Sequence, residues 1–248
     1  MNLPVLQAKN LSKNFGGLRA VADVNFEVTP LGVTSIIGPN GAGKTTLFNL
    51  LSGLYIPDAG NLLMDGTDIT QLSPVERLGY GMARSFQITN LFFDLTVEQN
   101  LQLASQKLET WPKLFSATSK SKIALQRAQE LIEEFQLEEK RDEPVAFLSH
   151  GEQRRLEIAV TMALYPKILL LDEPTQGMSQ GDTYQTSELI SELSKTVTIL
   201  LIEHDVELVM DLSKHVIVMA QGEKIAEGNP QDIRSNPIVQ TAYFGDAE

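Results

Sequence analysis

The sequence contains no cysteine, three histidines and one tryptophan in 248 residues. Without cysteine no disulfide and no thiolate metal site can form, which is compatible with a cytosolic address. Three histidines leave little from which to build a zinc cluster. Basic residues are scarce too: 20 lysines and arginines stand against 32 aspartates and glutamates, a net charge of −12. That balance gives no overall electrostatic footprint for nucleic acid, although a local basic patch stays open. No stretch approaches the roughly 18 to 20 consecutive apolar residues that span a bilayer. Met1 to Asn10 lacks a charged segment followed by a long apolar run. The expectation is a chain neither secreted by that route nor self-inserting.

What is present is globular. Hydrophobic residues make up 42% and charged residues 21%, in a chain long enough to bury a substantial core as one large domain or two small ones.

The most informative stretch is Gly38-Pro39-Asn40-Gly41-Ala42-Gly43-Lys44-Thr45-Thr46. It follows the β-like run Val33 to Ile37 and leads into the apolar-patterned Leu47 to Leu54, so G-x-x-x-x-G-K-[ST] occurs in the strand-turn-helix context it requires. Gly38, Gly41 and Gly43 allow positive φ, and successive N–H groups can then face a nucleotide's phosphates. A helix starting near Gly43 adds unpaired N–H groups and the positive end of its dipole. Lys44 supplies a point charge for the β- and γ-phosphates, and the Thr45 hydroxyl suits ligation of Mg²⁺.

Upstream, Val5 to Asn10 reads as strand, Phe15-Gly16-Gly17-Leu18 as a turn, and Val21 to Val28 alternates as a half-exposed antiparallel strand would. Phe15, on a loop ahead of the phosphate loop, suits stacking on adenine; the alternative is a core anchor. Downstream, Tyr55 to Gly60 is a breaker cluster, Asn61 to Met64 a short strand, and Asp65-Gly66 its turn. Thr96-Val97-Glu98-Gln99 is a capping box that opens a helix. Trp111 to Lys122 is unpatterned and reads as a loop. Ala124, Ala128, Leu131, Ile132 and Phe135 then share one helix face. Residues from about 91 to 164 therefore read as a helical arm inserted in an α/β core.

Two acidic strand ends follow. Ile168 to Leu171 is a short apolar run closed by Asp172-Glu173-Pro174, and Val197 to Ile202 is another closed by Glu203-His204-Asp205. Both have the profile of buried parallel strands, whose C-terminal edge is where ligands bind. Asp172 suits a residue that helps hold Mg²⁺, Glu173 one that polarises water, and His204 one that meets a γ-phosphate or orients Glu173. The alternatives are solvated acids in a loop and a structural histidine. Val216 to Ala220, Gln221-Gly222 and Lys224 to Ala226 form a hairpin.

Ser149 with Glu152 three residues later explains itself as a helix cap. A helix start flanked by Gly151 is equally an anion site, and one nucleotide has no use for two. If this start meets a nucleotide held by another subunit, ATP lies between two subunits.

Taken together, these residues resemble the ATP-binding subunit of ABC transporters over essentially the whole chain. The phosphate loop, Gln87, the signature Leu148-Ser149-His150-Gly151-Glu152, the strand ending in Asp172 and Glu173, and His204 stand in family order. The resemblance implies a P-loop NTPase α/β core, at about 1–90 and 165–248, with an antiparallel β subdomain and a helical subdomain at about 91–164. It implies a pair of such subunits, identical or paralogous, sandwiching two ATP molecules. Gln87 would join the γ-phosphate and Mg²⁺ site to integral-membrane permease partners, and Phe15 matches the adenine-stacking aromatic. It places the subunit peripherally at the cytoplasmic face of the membrane, served indirectly by a solute-binding protein.

Phe15 to Leu18, Arg84-Ser85-Phe86-Gln87, Leu91-Phe92, Arg154 to Ala159 and Ala242-Tyr243-Phe244-Gly245 are similar to the branched-chain and neutral amino-acid importer branch. Urea importers share these features, and the lipopolysaccharide-export ATPase shares many sequence habits. A soluble scaffold or repair ATPase is the rival from another class. The repair type needs a long coiled coil between the phosphate loop and the signature, translation-type factors carry two cassettes, and a binding-only module is expected to lack Glu173. His150 and Glu152 depart from the usual signature, and Gly177-Met178-Ser179-Gln180 lacks the usual aspartate.

Overall fold

The strands in the computed structural model, which describes residues 3–85, 91–106 and 122–244, divide into two sheets. The first is antiparallel. It contains β1 (Leu6–Phe15), β2 (Leu18–Val28), β4 (Ala59–Met64) and β5 (Thr67–Asp68) in the order β2-β1-β4-β5. The second contains β3 (Gly32–Ile37), β6 (Met82–Arg84), β7 (Ile168–Asp172), β8 (Thr198–Ile202), β9 (His215–Ala220) and β10 (Glu223–Gly228), ordered β10-β9-β3-β8-β7-β6. From β9 to β6 its pairs are parallel, and β10 is antiparallel to β9.

Every residue of β3, β7 and β8 is buried, as expected of apolar strands covered on both faces. One core lies between the sheets, where Leu6, Val24 and Leu62 meet Phe48 and Leu51 of α1 (Lys44–Ser52) and Ile36 and Leu200 of the parallel sheet. A second lies on its other face, where Leu169, Leu171 and Leu201 join apolar residues from α3 (Val97–Ser105), α4 (Lys122–Glu134), α5 (His150–Met162) and α6 (Gln180–Leu193). A third gathers Ile37, Val216 and Val218 with α7 (Val206–Leu212), α8 (Pro230–Arg234) and α9 (Pro237–Phe244).

The first hairpin is longer than its hydrophobic alternation indicates. Gly16 closes the turn at φ +58°, Phe15 faces Leu18, and pairing runs on through polar Ser12 to Asn14. Register shifts between Ala8 and Asn14 break the alternation. Between β5 and β7 the chain also forms α2 (Pro74–Gly79) and β6, two elements that hydrophobic patterning alone does not indicate. A signal existed: Ser73 with Glu76 is a capping box and Pro74 sits in the first turn. Thr96 with Gln99 forms the capping box expected, and Ala124, Ala128, Leu131, Ile132 and Phe135 are all buried. The loop expected from Trp111 to Lys122 lies outside the described residues, except Lys122, which opens α4.

The parallel order is what builds a site. Strands β3, β7 and β8 run side by side in the same direction, so their C-terminal ends collect Gly38, Asp172 and Glu203 along one edge.

Candidate functional site

A cavity of about 530 Å³ opens at that edge. Asn40, Gly41, Gly43, Lys44, Thr45 and Thr46 form one wall, and Glu173 and His204 approach from the ends of β7 and β8. Leu18, Arg19 and Ala20 close it from the first hairpin. Residues more than a hundred positions apart thus converge because the sheet places their strands together.

The loop after β3 needs glycine for steric reasons. At Gly43 φ is +96° and a Cβ would come within 2.3 Å of the Ala20 carbonyl; at Gly38 a Cβ would meet the Met219 carbonyl at 2.1 Å. The loop therefore packs backbone against backbone. Gly43 is the N-cap of α1 and brings no side-chain hydrogen bond, and the first turn carries no acidic residue. By contrast α2, α3, α5, α6, α7 and α8 each have a capping side chain. The start of α1 offers its N–H groups and dipole to an anion without a resident competitor.

Lys44 is buried and its ammonium donates to the Gly38 and Pro39 carbonyls at 2.6 and 3.1 Å. Burial pulls its pKa below the ordinary lysine value, and the Glu173 carboxylate opposes that shift. Glu173 sits at φ 46°, a left-handed conformation uncommon outside glycine, with its N–H donated to the Ile202 carbonyl at 2.8 Å. This bend turns its side chain away from the strand line, where its Oε1 meets His204 Nε2.

Asp172 is buried, and burial pushes its pKa above the usual carboxylate range, opposed by Arg84, Arg154 and His204. Arg84 pairs with its Oδ2 at 3.1 Å. Glu203, also buried, accepts from the Thr175 N–H at 3.0 Å, the Thr175 hydroxyl at 2.7 Å and the His204 N–H at 3.1 Å. It stitches the turn after Glu173 to the turn that carries His204. Neither Arg84 nor Glu203 was assigned a role from sequence; a charged residue inside an apolar strand context was the available signal for both.

The other expected residues stand elsewhere. Phe15 is 44% exposed, so its ring anchors no core. It meets Tyr55 edge-on with centroids 5.5 Å apart. It does not line the cavity itself, but its hairpin partner Leu18 does. Ser149 is exposed and caps α5: its hydroxyl accepts from the Glu152 N–H at 3.3 Å, and Glu152 accepts from the Ser149 N–H at 2.7 Å. Gly151 is buried against the start of α6, where a Cβ would lie 2.8 Å from Asp182 Oδ1. Gln87 lies outside the described residues.

This is the architecture of a nucleotide-hydrolysing cassette: a glycine-rich phosphate loop feeding an uncapped helix, faced by a carboxylate and an imidazole on neighbouring strand ends. The chain belongs to the ABC transporter family, whose profile matches residues 21–176. A second profile, described as branched-chain amino acid ATP-binding cassette transporter, matches residues 223–248. The chain is 43% identical to the high-affinity branched-chain amino acid transport ATP-binding protein LivG of Escherichia coli strain K12 over 100% of both chains. It is 42% identical to BraF of Pseudomonas aeruginosa, of the same description, again over 100% of both. Among solved structures it is similar to the ADP conformation of MJ1267, an ATP-binding cassette of an ABC transporter, with TM-score 0.88, 31% identity and coverage of 99% of this chain and 100% of that one. The fold class expected from the sequence is the one found.

Proposed function

We propose that this chain is the ATPase motor of an importer for branched-chain or neutral amino acids. The observation that carries the reading is the convergence of Lys44, Glu173 and His204 on one cavity at the end of the parallel sheet. The amino-acid assignment is supported by LivG and BraF, at 43% and 42% identity over full length. The lipopolysaccharide export ATP-binding protein LptB of Escherichia coli, at 35%, is less similar.

In this reading the phosphates of ATP lie along Gly38 to Thr46, held by backbone N–H groups, the start of α1 and the Lys44 ammonium, while Phe15 borders the adenine. Glu173 takes a proton from the attacking water, and His204 fixes the carboxylate's orientation and faces the γ-phosphate. The donor set fits Mg²⁺. Among the described residues neither the Thr45 hydroxyl nor Asp172 Oδ1 has a hydrogen-bond partner, both are hard oxygen donors, and no cluster of three protein ligands exists, so phosphate and water must complete the shell. Bound there, the ion would neutralise charge on the β- and γ-phosphates. Gln87 is proposed to complete the metal and γ-phosphate side.

A second subunit, a copy or a paralogue, is proposed to present its Ser149 and Gly151 to that nucleotide. The exposure of Ser149 supports this. So does the dimeric post-hydrolysis structure of the cassette MJ0796 bound to ADP and Pi, similar at TM-score 0.75 and 25% identity. The unit divides into an α/β core at about 1–90 and 165–248 and a helical part at about 91–164. Between them lies an apolar groove of about 330 Å³, lined by Leu54, Val75, Leu78, Met82, Leu91 and Ala104, proposed as the seat of a permease segment. No helix among the described residues is long and apolar enough to cross a membrane, consistent with a peripheral subunit held by such partners.

The test is to copurify the membrane partners, reconstitute them with the solute-binding protein, and measure ATP-dependent uptake. Leucine, isoleucine or valine uptake that requires this chain and stops with Glu173→Gln is expected. Uptake of urea instead, or copurification with lipopolysaccharide-export components, overturns the assignment.

A further inference from the structure

Arg84 closes β6 with its side chain turned inward, 10% exposed. Its guanidinium donates through Nη1 to Asn49 Oδ1 and Ser52 Oγ, both at 2.7 Å, and lies 4.7 Å from the centroid of the Phe48 ring. All three partners belong to α1, the helix that begins at the phosphate loop. Through Nη2 the same group reaches Asp172 Oδ2 at 3.1 Å. Two hydrogen bonds and a ring thus fix the cation from the α1 side, and Asp172 contributes one contact to a group that is already held. Even Nε is buried, with no partner to draw the group elsewhere.

For Asp172 the balance is the reverse. Its side chain is 1% exposed, and Arg84 is its one ion-pair partner among the described residues. Arg154 passes close by but spends its charge on Glu157 at 2.7 Å and reaches only the Asp172 carbonyl. A buried carboxylate without a counter-charge is costly. The protein meets that cost with a cation that is anchored independently.

We propose that Arg84 is a resident counter-ion for Asp172, a positioning residue that balances the buried carboxylate when no divalent cation is present and lowers the site's own affinity for one. This rests on the reading of Asp172 as the metal-side carboxylate. A fixed guanidinium beside Asp172 repels an arriving divalent cation, and at a separation of about 6 Å even water-like screening leaves that repulsion worth about tenfold in cation binding. Divalent ion is then taken up chiefly in company with nucleotide phosphates, which outweigh one positive charge.

The experiment uses Mn²⁺ as the probe, titrated into the full-length chain and followed by the electron paramagnetic resonance signal of free Mn²⁺, with and without a non-hydrolysable ATP analogue. Thermal melts in chelator and in Mn²⁺ run alongside. Arg84→Met is expected to bind Mn²⁺ about tenfold tighter than the parent chain without nucleotide. Its melting temperature, lowered in chelator, should recover further on adding Mn²⁺. Arg84→Lys keeps the charge and loses the fork, so it should be less stable with the parent chain's Mn²⁺ affinity. Unchanged Mn²⁺ affinity in Arg84→Met would reduce Arg84 to a packing role, and weaker affinity would make it an orienting group; either overturns the proposal. Should Arg84→Met fail to fold, Arg84→Gln retains a donor for Asn49 and Ser52 and serves the same comparison. Asp172→Asn separates the two levels: if it leaves Mn²⁺ binding to the nucleotide-loaded chain unchanged, the metal-side reading of Asp172 fails, whatever Arg84 does.

Discussion

The Lys44 ammonium donates to the Gly38 carbonyl at 2.6 Å, so the lysine of the phosphate loop is folded back onto the loop's own first residue. A second bond, to the Pro39 carbonyl at 3.1 Å, holds it there. The loop is pre-shaped around a cation that, in the proposed reading, is shared with or handed over to a phosphate. Charge-assisted hydrogen bonds contribute about 1.5–3 kcal/mol each. Lys44→Ala is therefore expected to weaken ATP binding by tenfold to a hundredfold in a titration with a fluorescent nucleotide. Equal affinity in the variant would remove the loop from nucleotide binding.

Glu173 presents its carboxylate from a backbone held at φ 46°, beside His204. Such conformations cost of order 1–3 kcal/mol and persist where the surroundings enforce them. Here the Ile202 carbonyl does so, through the Glu173 N–H at 2.8 Å. Removing the proposed base while keeping shape and hydrogen bonding isolates its role. Glu173→Gln is expected to lose about 10²–10⁴-fold in steady-state ATP turnover with ATP affinity preserved. Undiminished phosphate release by the variant would transfer the role of base to another group.

Much of this site was legible in the sequence, and what was missed has a physical reason. Gly38 to Thr46, Asp172, Glu173 and His204 declared themselves because each follows an apolar strand, and parallel strands deliver their ends to one edge. Arg84 and Glu203 did not, because their roles are made by partners far along the chain: Arg84 by Asp172 and by α1, Glu203 by Thr175. Helix α2 is short and its signal lies in its cap, Ser73, Pro74 and Glu76, rather than in any hydrophobic period, and the first hairpin outran its alternation because register shifts carry polar residues through it. Phe15 illustrates the limit of spacing: its exposure sets aside the core alternative, yet its ring stands outside the cavity lining.

The C-terminal helix is tied to the phosphate loop. Tyr243 packs beside Val216, Val218 and Ile37, the strand residue that leads into the loop. Burial pushes its pKa up to about 12, with the nearby Gly38 backbone opposing the shift. The phenol is held protonated in the folded chain where the unfolded chain has lost its proton, so folding stability is full below pH of about 10 and falls as pH rises toward about 12. Tyr243→Phe removes that alkaline loss. Denaturant titrations at pH 9 and pH 11.5 should show the variant losing about 1 kcal/mol less than the parent chain between the two. The latest-ionising tyrosine in an ultraviolet titration should vanish with it. An unchanged titration would detach Tyr243 from the loop.

Gly151 has two separable reasons to be glycine. One is packing. Its absent Cβ leaves room for Asp182, whose Oδ1 would lie 2.8 Å from an alanine methyl while Oδ2 accepts from the Ser179 hydroxyl at 2.7 Å. To make room Asp182 must shift and loosen that hydrogen bond, so Gly151→Ala should cost about 1–3 kcal/mol as overpacking. The other reason is the proposed approach of a partner's nucleotide to the start of α5, beside whose backbone N–H groups a methyl group would stand. Asp182→Ala makes room within the chain and leaves the outer surface alone. The double variant is therefore expected to recover at least about 1 kcal/mol relative to the sum of the single changes, read from denaturant unfolding as a double-mutant cycle. ATP turnover should stay depressed in the same protein. Strict additivity in stability would deny the contact between the two helix starts, and recovery of turnover together with stability would leave Gly151 no part in a seam between subunits.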